Sequence, residues 1–334
     1  RPPEALQAEL MPLLRPLGKT RAGWCLWMLA EQFRDSGNLP LAESLLSEVI
    51  DGYPDHEVGP AAAARLLPSL VSQERRWQRL RHTGRHEGLA SSQITRDFAD
   101  DQPRGLRFVT RGTRQPLRVA EKSDWQTKMT RAEVDRAIQL ARHLKQHAEG
   151  TYDSAKTQLT LATMFRARGS NRLAEACYRR LSHRDGPWRS TAVQETWLAI
   201  RSGTPPADST TCRTAVARPI VDGVISDPCW EDVPELRLRP HLRSVSSDNS
   251  GFVVTTCDDE YLYLAARLDR PVTKRVGVST SRTFDADHSG FDRLAIFLDI
   301  DRDYQVGYVL TVDERGEVSE RCGGDASWNP RCVV

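Results

Sequence analysis

The sequence predicts a multidomain α plus β chain, in which an N-terminal α-helical repeat array is followed by an antiparallel β-sandwich. Three observations predict it. Apolar residues recur at helical spacing up to about residue 201 and at alternate positions after about 217. One helix–turn–helix pattern occurs twice in the first part. The charge also changes sign along the chain. Of 47 Lys+Arg and 45 Asp+Glu in 334 residues, 14 and 21 fall from residue 217 onward, leaving 33 and 24 before it. Domains are therefore expected at 1–201 and 217–334, joined by the Pro/Ser/Thr-rich linker 202–216.

In the helical part, "WCLWMLAEQFRDSGNLPLAESLLSEVIDGYP" (24–54) carries two apolar stripes. Leu26, Leu29, Ala30 and Phe33 form one, and Leu41, Ala42, Leu45, Leu46 and Val49 the other. Gly37 and Asn38 interrupt the chain between them, and Pro54 ends the second helix. The pattern returns in "QLTLATMFRARGSNRLAEACYRRLSHRDGP". There Leu161, Ala162, Phe165, Gly169 and Ala174 stand where Leu29, Ala30, Phe33, Gly37 and Ala42 stood. Further helices are expected between and after the two copies. Residues 83–129 interrupt the array with a polar insertion that holds short strand-like pieces, "LRFVT" and "PLRVA".

Two helical features invite a functional reading. His143 and His147 are one helical turn apart, a metal-ligand spacing, but the Glu of a zinc helix and a third ligand are missing. They fall away from the stripe of Val134, Ile138, Ala141 and Ala148, so they read as a solvated face. Arg75, Arg76, Arg79, Arg81 and Arg85 surround Trp77, a combination that suits phosphates and bases. Cations also favour a helix C-terminus, and a net charge of +2 gives no nucleic-acid footprint. No nucleic-acid partner is expected, and no apolar run reaches membrane-spanning length.

In the β part, Leu262, Leu264, Ala266 and Leu268 alternate with Tyr261, Tyr263 and Arg267. "GFVVTT" supplies a partner strand. Leu294, Ile296 and Leu298 alternate on the next strand, and Val306, Tyr308, Leu310 and Val312 on the one after it. Antiparallel strands with one apolar face make one layer of a sandwich. The hairpin joining the last two strands reads Asp299-x-Asp301-x-Asp303. An EF-hand loop also begins D-x-D-x-D but needs Gly at its sixth position and Glu at its twelfth, where this chain has Tyr304 and Leu310. The aspartates therefore read as turn chemistry, and as candidate ligands for calcium because clustered carboxylates attract it.

The seven cysteines include no C-x-x-C pair, which argues against a zinc knuckle or a thioredoxin-type site. They read as buried thiols, or as one or two disulfides of an exported domain, with an odd count that prevents complete internal pairing. A G-x-S-x-G elbow, a P-loop and a dinucleotide glycine motif are all absent. The chain is not expected to be an enzyme.

Two resemblances add to these readings. The repeated helix–turn–helix pattern resembles the tetratricopeptide repeat, which implies a concave surface for a protein partner. "RPIVDGVISDPCWEDVPELRLRP" resembles the opening stretch of the family 9 carbohydrate-binding module and its relatives, through Pro219, Asp222, Gly223 and Trp230. "VVTTCDDEYLYLAARLD", "DRLAIFLDIDRDYQVGYVLTVDERGEV" and "DASWNP" follow in that family's order. The closing strands of the family are missing, so the sandwich is expected to be incomplete and the chain a fragment of a longer protein.

The second resemblance implies non-catalytic binding of a glycan or polysaccharide, a structural calcium, and an extracellular, periplasmic or cell-surface location. One clamp aromatic of that family would fall near "DADHSGFDRL", so His288, Phe291, Asp292 and Arg293 are the candidate sugar ligands. Trp230 and Trp328 are expected to anchor the core. Two alternatives are a scaffolding protein whose sandwich binds no sugar, and an accessory region of a larger extracellular glycoside-active enzyme. Haem, which related sandwiches bind through methionine, is disfavoured because Met11, Met28, Met129 and Met164 all precede the β part.

Overall fold

The computed structural model describes residues 9–10, 12–82, 129–238, 251–268 and 285–323, together with 326, 328, 330, 332 and 334. The insertion expected at 83–129, apart from Met129, lies outside the described residues. So do the side chains of Trp77, Arg79, Arg81 and Arg85.

The chain is α plus β, with helices first and two small sheets after them. The helices are α1 (Gly18–Asp35), α2 (Leu39–Gly52), α3 (Val58–Val71), α4 (Gln73–His82), α5 (Arg131–His147), α6 (Glu149–Tyr152), α7 (Ala155–Ala167), α8 (Asn171–Ser182) and α9 (Trp188–Ile200). The strands are β1 (Arg213–Thr214), β2 (Leu236–Leu238), β3 (Gly251–Cys257), β4 (Leu262–Leu268), β5 (Arg293–Leu298), β6 (Tyr308–Asp313) and β7 (Val318–Cys322).

Two compact units share these elements. The first comprises Arg1–Leu181, Phe297–Val309 and Arg321–Asp325; the second comprises Ser182–Ile296, Leu310–Glu320 and Ala326–Val334. The expected linker, 202–216, thus lies inside the second unit, and the hairpin tip is grouped with the helices.

The first unit is built around α3, whose sequence is apolar nearly all round. Val58, Ala62, Ala63, Leu66 and Leu67 are buried there. Its small alanines allow α2, α5 and α7 to pack close. The duplicated turn has one geometry in both places. Gly37 and Gly169 have φ of 83° and 73°, a left-handed conformation that glycine adopts without strain. Asn38 N–H donates to Phe33 O and Ser170 N–H to Phe165 O, both at 2.8 Å. Gly37 N–H donates to Arg34 O at 3.0 Å and Gly169 N–H to Arg166 O at 2.9 Å. This is the Schellman arrangement, which satisfies the last carbonyls of α1 and of α7. Helix α5 opens on a capping box formed by Thr130 and Glu133.

In the second unit β3 pairs antiparallel with β4 along its whole length, Gly251 opposite Leu268 and Cys257 opposite Leu262. On its other edge it pairs antiparallel with β2 and parallel with the two-residue β1. The parallel pair departs from the all-antiparallel expectation, because the chain reaches β3 from the preceding segment by a long connection rather than a hairpin. The second sheet has the order β5-β6-β7. Along β5 the alternation is as read from sequence: Leu294, Ile296 and Leu298 are half-buried while Arg293, Ala295 and Phe297 are exposed. Along β4 the middle residues Leu264 and Ala266 are half-buried, but Leu262 and Leu268 at its ends are exposed.

Candidate functional site

Three neighbourhoods hold the chemistry-bearing residues, one in the first unit and two in the second. The first is the Asp299–Asp303 loop, where the aspartates act as acceptors for backbone donors. Asp299 accepts from Asp303 N–H at 3.2 Å and Tyr304 N–H at 2.8 Å; Asp301 also accepts from Asp303 N–H, at 3.1 Å. Asp303 Oδ1 accepts from Gln305 N–H at 2.7 Å and from Val306 N–H. These are Asx turns, the local alternative to regular structure that aspartate favours.

The loop is also held by helices of the same unit. Gln73 N–H, at the start of α4, donates to Asp301 Oδ2 at 2.6 Å, so Asp301 caps an orphan helix donor and sits at the favourable end of the dipole. Glu74 is fully buried and accepts from Ile300 N–H at 3.1 Å and from the Ser72 hydroxyl at 3.2 Å. From α7, Arg166 donates to Asp301 O and Thr163 to Arg302 O. Gln305 donates to Thr160 Oγ1 at 2.6 Å. Thr160 and Thr163 are buried on α7, where their hydroxyls meet the loop's polar groups.

The carboxylate trio that comes together is Glu74, Asp299 and Asp301, each offering an oxygen within 4.8 Å of the others. Asp303, a candidate ligand from sequence, is not in the trio, and Glu74, 225 positions before Asp299, replaces it. That partner could not be read locally, because it follows from how α4 meets the loop. An all-oxygen anionic set suits a hard divalent cation such as calcium. Each of the six oxygens already accepts a protein donor, which fixes the carboxylates and leaves them a further lone pair. Without a cation, burial and then the nearby Asp301 charge push Glu74 up to about 8 and Asp303 up to about 7. Burial also pushes Asp299 up to about 6. Asp303 is fully enclosed and its Oδ2 has no hydrogen-bond partner.

The second neighbourhood holds the candidate sugar ligands. His288 is only 8% exposed. Its Nδ1 lies 3.2 Å from Asp313 Oδ2 and its Nε2 lies 2.9 Å from Ser319 Oγ. With Nδ1–H donating to the carboxylate, Nε2 accepts from the hydroxyl. Arg315 donates to the same Asp313 oxygen through Nε at 3.0 Å and NH2 at 2.6 Å, and its guanidinium lies 3.6 Å from the centroid of Phe291. Burial alone would raise Asp313, but Arg315, His288 and the N–H groups of Arg315 and Glu317 hold it well below the usual carboxylate range. Phe291 is half-buried, while Asp292 and Arg293 are exposed. His288 and Phe291 are brought together as parts of one packed network.

Ser319, His288 and Asp313 stand in the order of a hydrolytic triad. Ser319 is 6% exposed, with its hydroxyl on His288 Nε2, so the three side chains form part of the polar core of this unit.

The third neighbourhood is a cleft of about 830 Å³ bordered by 223–227, Trp230, Glu231, Val233, Glu235, Phe252, Val254 and 266–268. Trp230 ends a short 3-10 turn, Pro228–Trp230, that buries Cys229 and leaves the indole half-buried at the cleft wall. Phe252 comes from β3 and Arg267 from β4, directly across from it. The motif position of Trp230 suggested a core anchor; the structure places it in the cleft wall instead. Comparison with known proteins assigns nothing. No family model, curated protein or solved structure matches the chain.

Proposed function

We propose that the chain is a non-catalytic binding protein whose second unit takes a glycan and whose helical unit holds a protein partner. The Trp230–Phe252 cleft carries the reading. Sugar rings present apolar C–H faces that stack on aromatic side chains, and hydroxyls that pair with fixed polar groups. Trp230 and Phe252 supply the first, and Asp227, Glu231, Glu235 and Arg267 supply the second, all around a space large enough for a small oligosaccharide. The resemblance to the family 9 carbohydrate-binding module supports the same function, in an extracellular, periplasmic or cell-surface setting. For the protein partner, Trp24 and Met28 stand one turn apart on α1, 41% and 66% exposed. Among the described residues no helix is long and apolar enough to cross a membrane.

A glycan array followed by affinity electrophoresis of the whole chain tests the reading. Retardation by at least one polysaccharide is expected, and Trp230→Ala should weaken it about tenfold, the worth of one good aromatic contact. The scaffolding alternative is favoured by the closed packing of His288 and Phe291. It would stand if no polysaccharide retarded the chain.

A further inference from the structure

Beyond sugar binding, the geometry points to Cys212 and Cys257 as a redox-active thiol pair that closes into a disulfide between β1 and β3. The register puts them on one face of adjoining strands. Arg213 is opposite Thr256 and Thr214 opposite Cys257 in the parallel β1–β3 pair, so Cys212, one residue ahead of β1, falls opposite Thr255 and diagonal to Cys257. The Cys257 thiol points across to that strand, its sulfur 3.7 Å from Arg213 O, the carbonyl that follows Cys212. The two thiols are near enough to interact electrostatically, and neither is in a disulfide. Cys212 is exposed and Cys257 partly so, which leaves a small oxidant free access. Of the other described cysteines, Cys177, Cys229 and Cys322 are buried, and Cys25 and Cys332 are partly exposed like Cys257.

A disulfide here has a structural consequence. β1 is only two residues long, and both are exposed, so its pairing with β3 is weak. Joining Cys212 to Cys257 ties the start of the β region to its central strand and closes a loop of more than forty residues, which removes freedom from the unfolded chain.

The chemistry is two thiol–disulfide exchanges with a low-molecular-weight disulfide, RSSR. One protein thiolate attacks RSSR and expels RS⁻; the second attacks the protein sulfur of the mixed disulfide and expels another RS⁻. The protein loses two electrons and two protons, and RSSR becomes two RSH. Burial and the neighbouring Cys257 thiol raise the pKa of Cys212, so the reaction should run faster above neutral pH, where more thiolate is present.

The experiment uses the whole chain and oxidised glutathione as RSSR. After oxidation and denaturation, the titratable thiols should fall by two from the seven of the reduced chain. Proteolysis without reductant should release the Cys212 and Cys257 peptides as one species, two hydrogens lighter than their sum. Reductant should separate them. In Cys212→Ser and in Cys257→Ser that species should be absent, and the cysteine left of the pair should instead carry one glutathione that reductant removes. Seven free thiols after oxidation, or a crosslink mapped to any other pair, would overturn the proposal.

Discussion

The two aromatic neighbourhoods of the second unit share a residue vocabulary and differ in what occupies the ring faces. At Phe291 the Arg315 guanidinium already covers one face at 3.6 Å, and that arginine is fixed in turn by Asp313. At Trp230 the ring borders about 830 Å³ of open space. An aromatic beside polar groups is therefore a sugar platform only where no side chain has taken the platform first. Sequence places both rings in the right company; the third dimension decides which of them is free.

A second contrast concerns carboxylates, since Asp313 and Asp303 are both buried and titrate in opposite directions. Asp313 is 5% exposed and held low by Arg315 and His288, whereas Asp303 is fully enclosed and pushed up by burial and by Asp301. Counter-charge, not burial, sets the direction.

These contrasts can be broken or sharpened by mutation, and the largest effect is expected at Asp313. Asp313→Ala removes the carboxylate that Arg315 and His288 share, and should destabilise the fold by about 3 kcal/mol, the range for breaking a buried pair. Urea unfolding of the variant measures it. A loss below about 1 kcal/mol would show that the network is not what closes Phe291.

The pH dependence comes next. Because its folded pKa is depressed, Asp313 contributes stability that is complete above the ordinary 3.8 and is lost as pH falls below it. The melting temperature of the natural chain should therefore drop more steeply below pH 4 than that of Asp313→Asn. Parallel acid limbs in a thermal scan would contradict the assignment.

Smaller effects are expected at the acidic loop. Calcium at millimolar concentration should raise the melting temperature by a few degrees, the equivalent of roughly 1 kcal/mol for a domain of this size. The rise should disappear in Glu74→Gln and in Asp301→Ala. Glu74→Gln should also be the more stable chain when chelator is present, because it removes one charge from the cluster. An unchanged midpoint with calcium and chelator would leave the trio as a helix-capping device alone.

The α plus β order, helices before strands, was legible in the sequence. So were the two glycine turns, because a Schellman cap is specified within six residues. The Leu294–Ile296–Leu298 alternation is local in the same way. The site was less legible. Glu74 meets Asp299 and Asp301 only through tertiary packing, and Arg315 caps Phe291 across 24 positions. Trp230 could be found by its motif, but the motif does not tell a wall of a cleft from a core anchor. The thiol pair depends on a parallel strand pairing that no alternation pattern announces.

In the function proposed above, the open aromatic, and not the covered one, holds the sugar. Trp230→Ala and Phe291→Ala, run beside the natural chain in affinity electrophoresis against a retarding polysaccharide, test it most directly. Trp230→Ala is expected to lose about tenfold in affinity while Phe291→Ala stays within about twofold. The reverse order, with Phe291→Ala losing retention and Trp230→Ala keeping it, would contradict it.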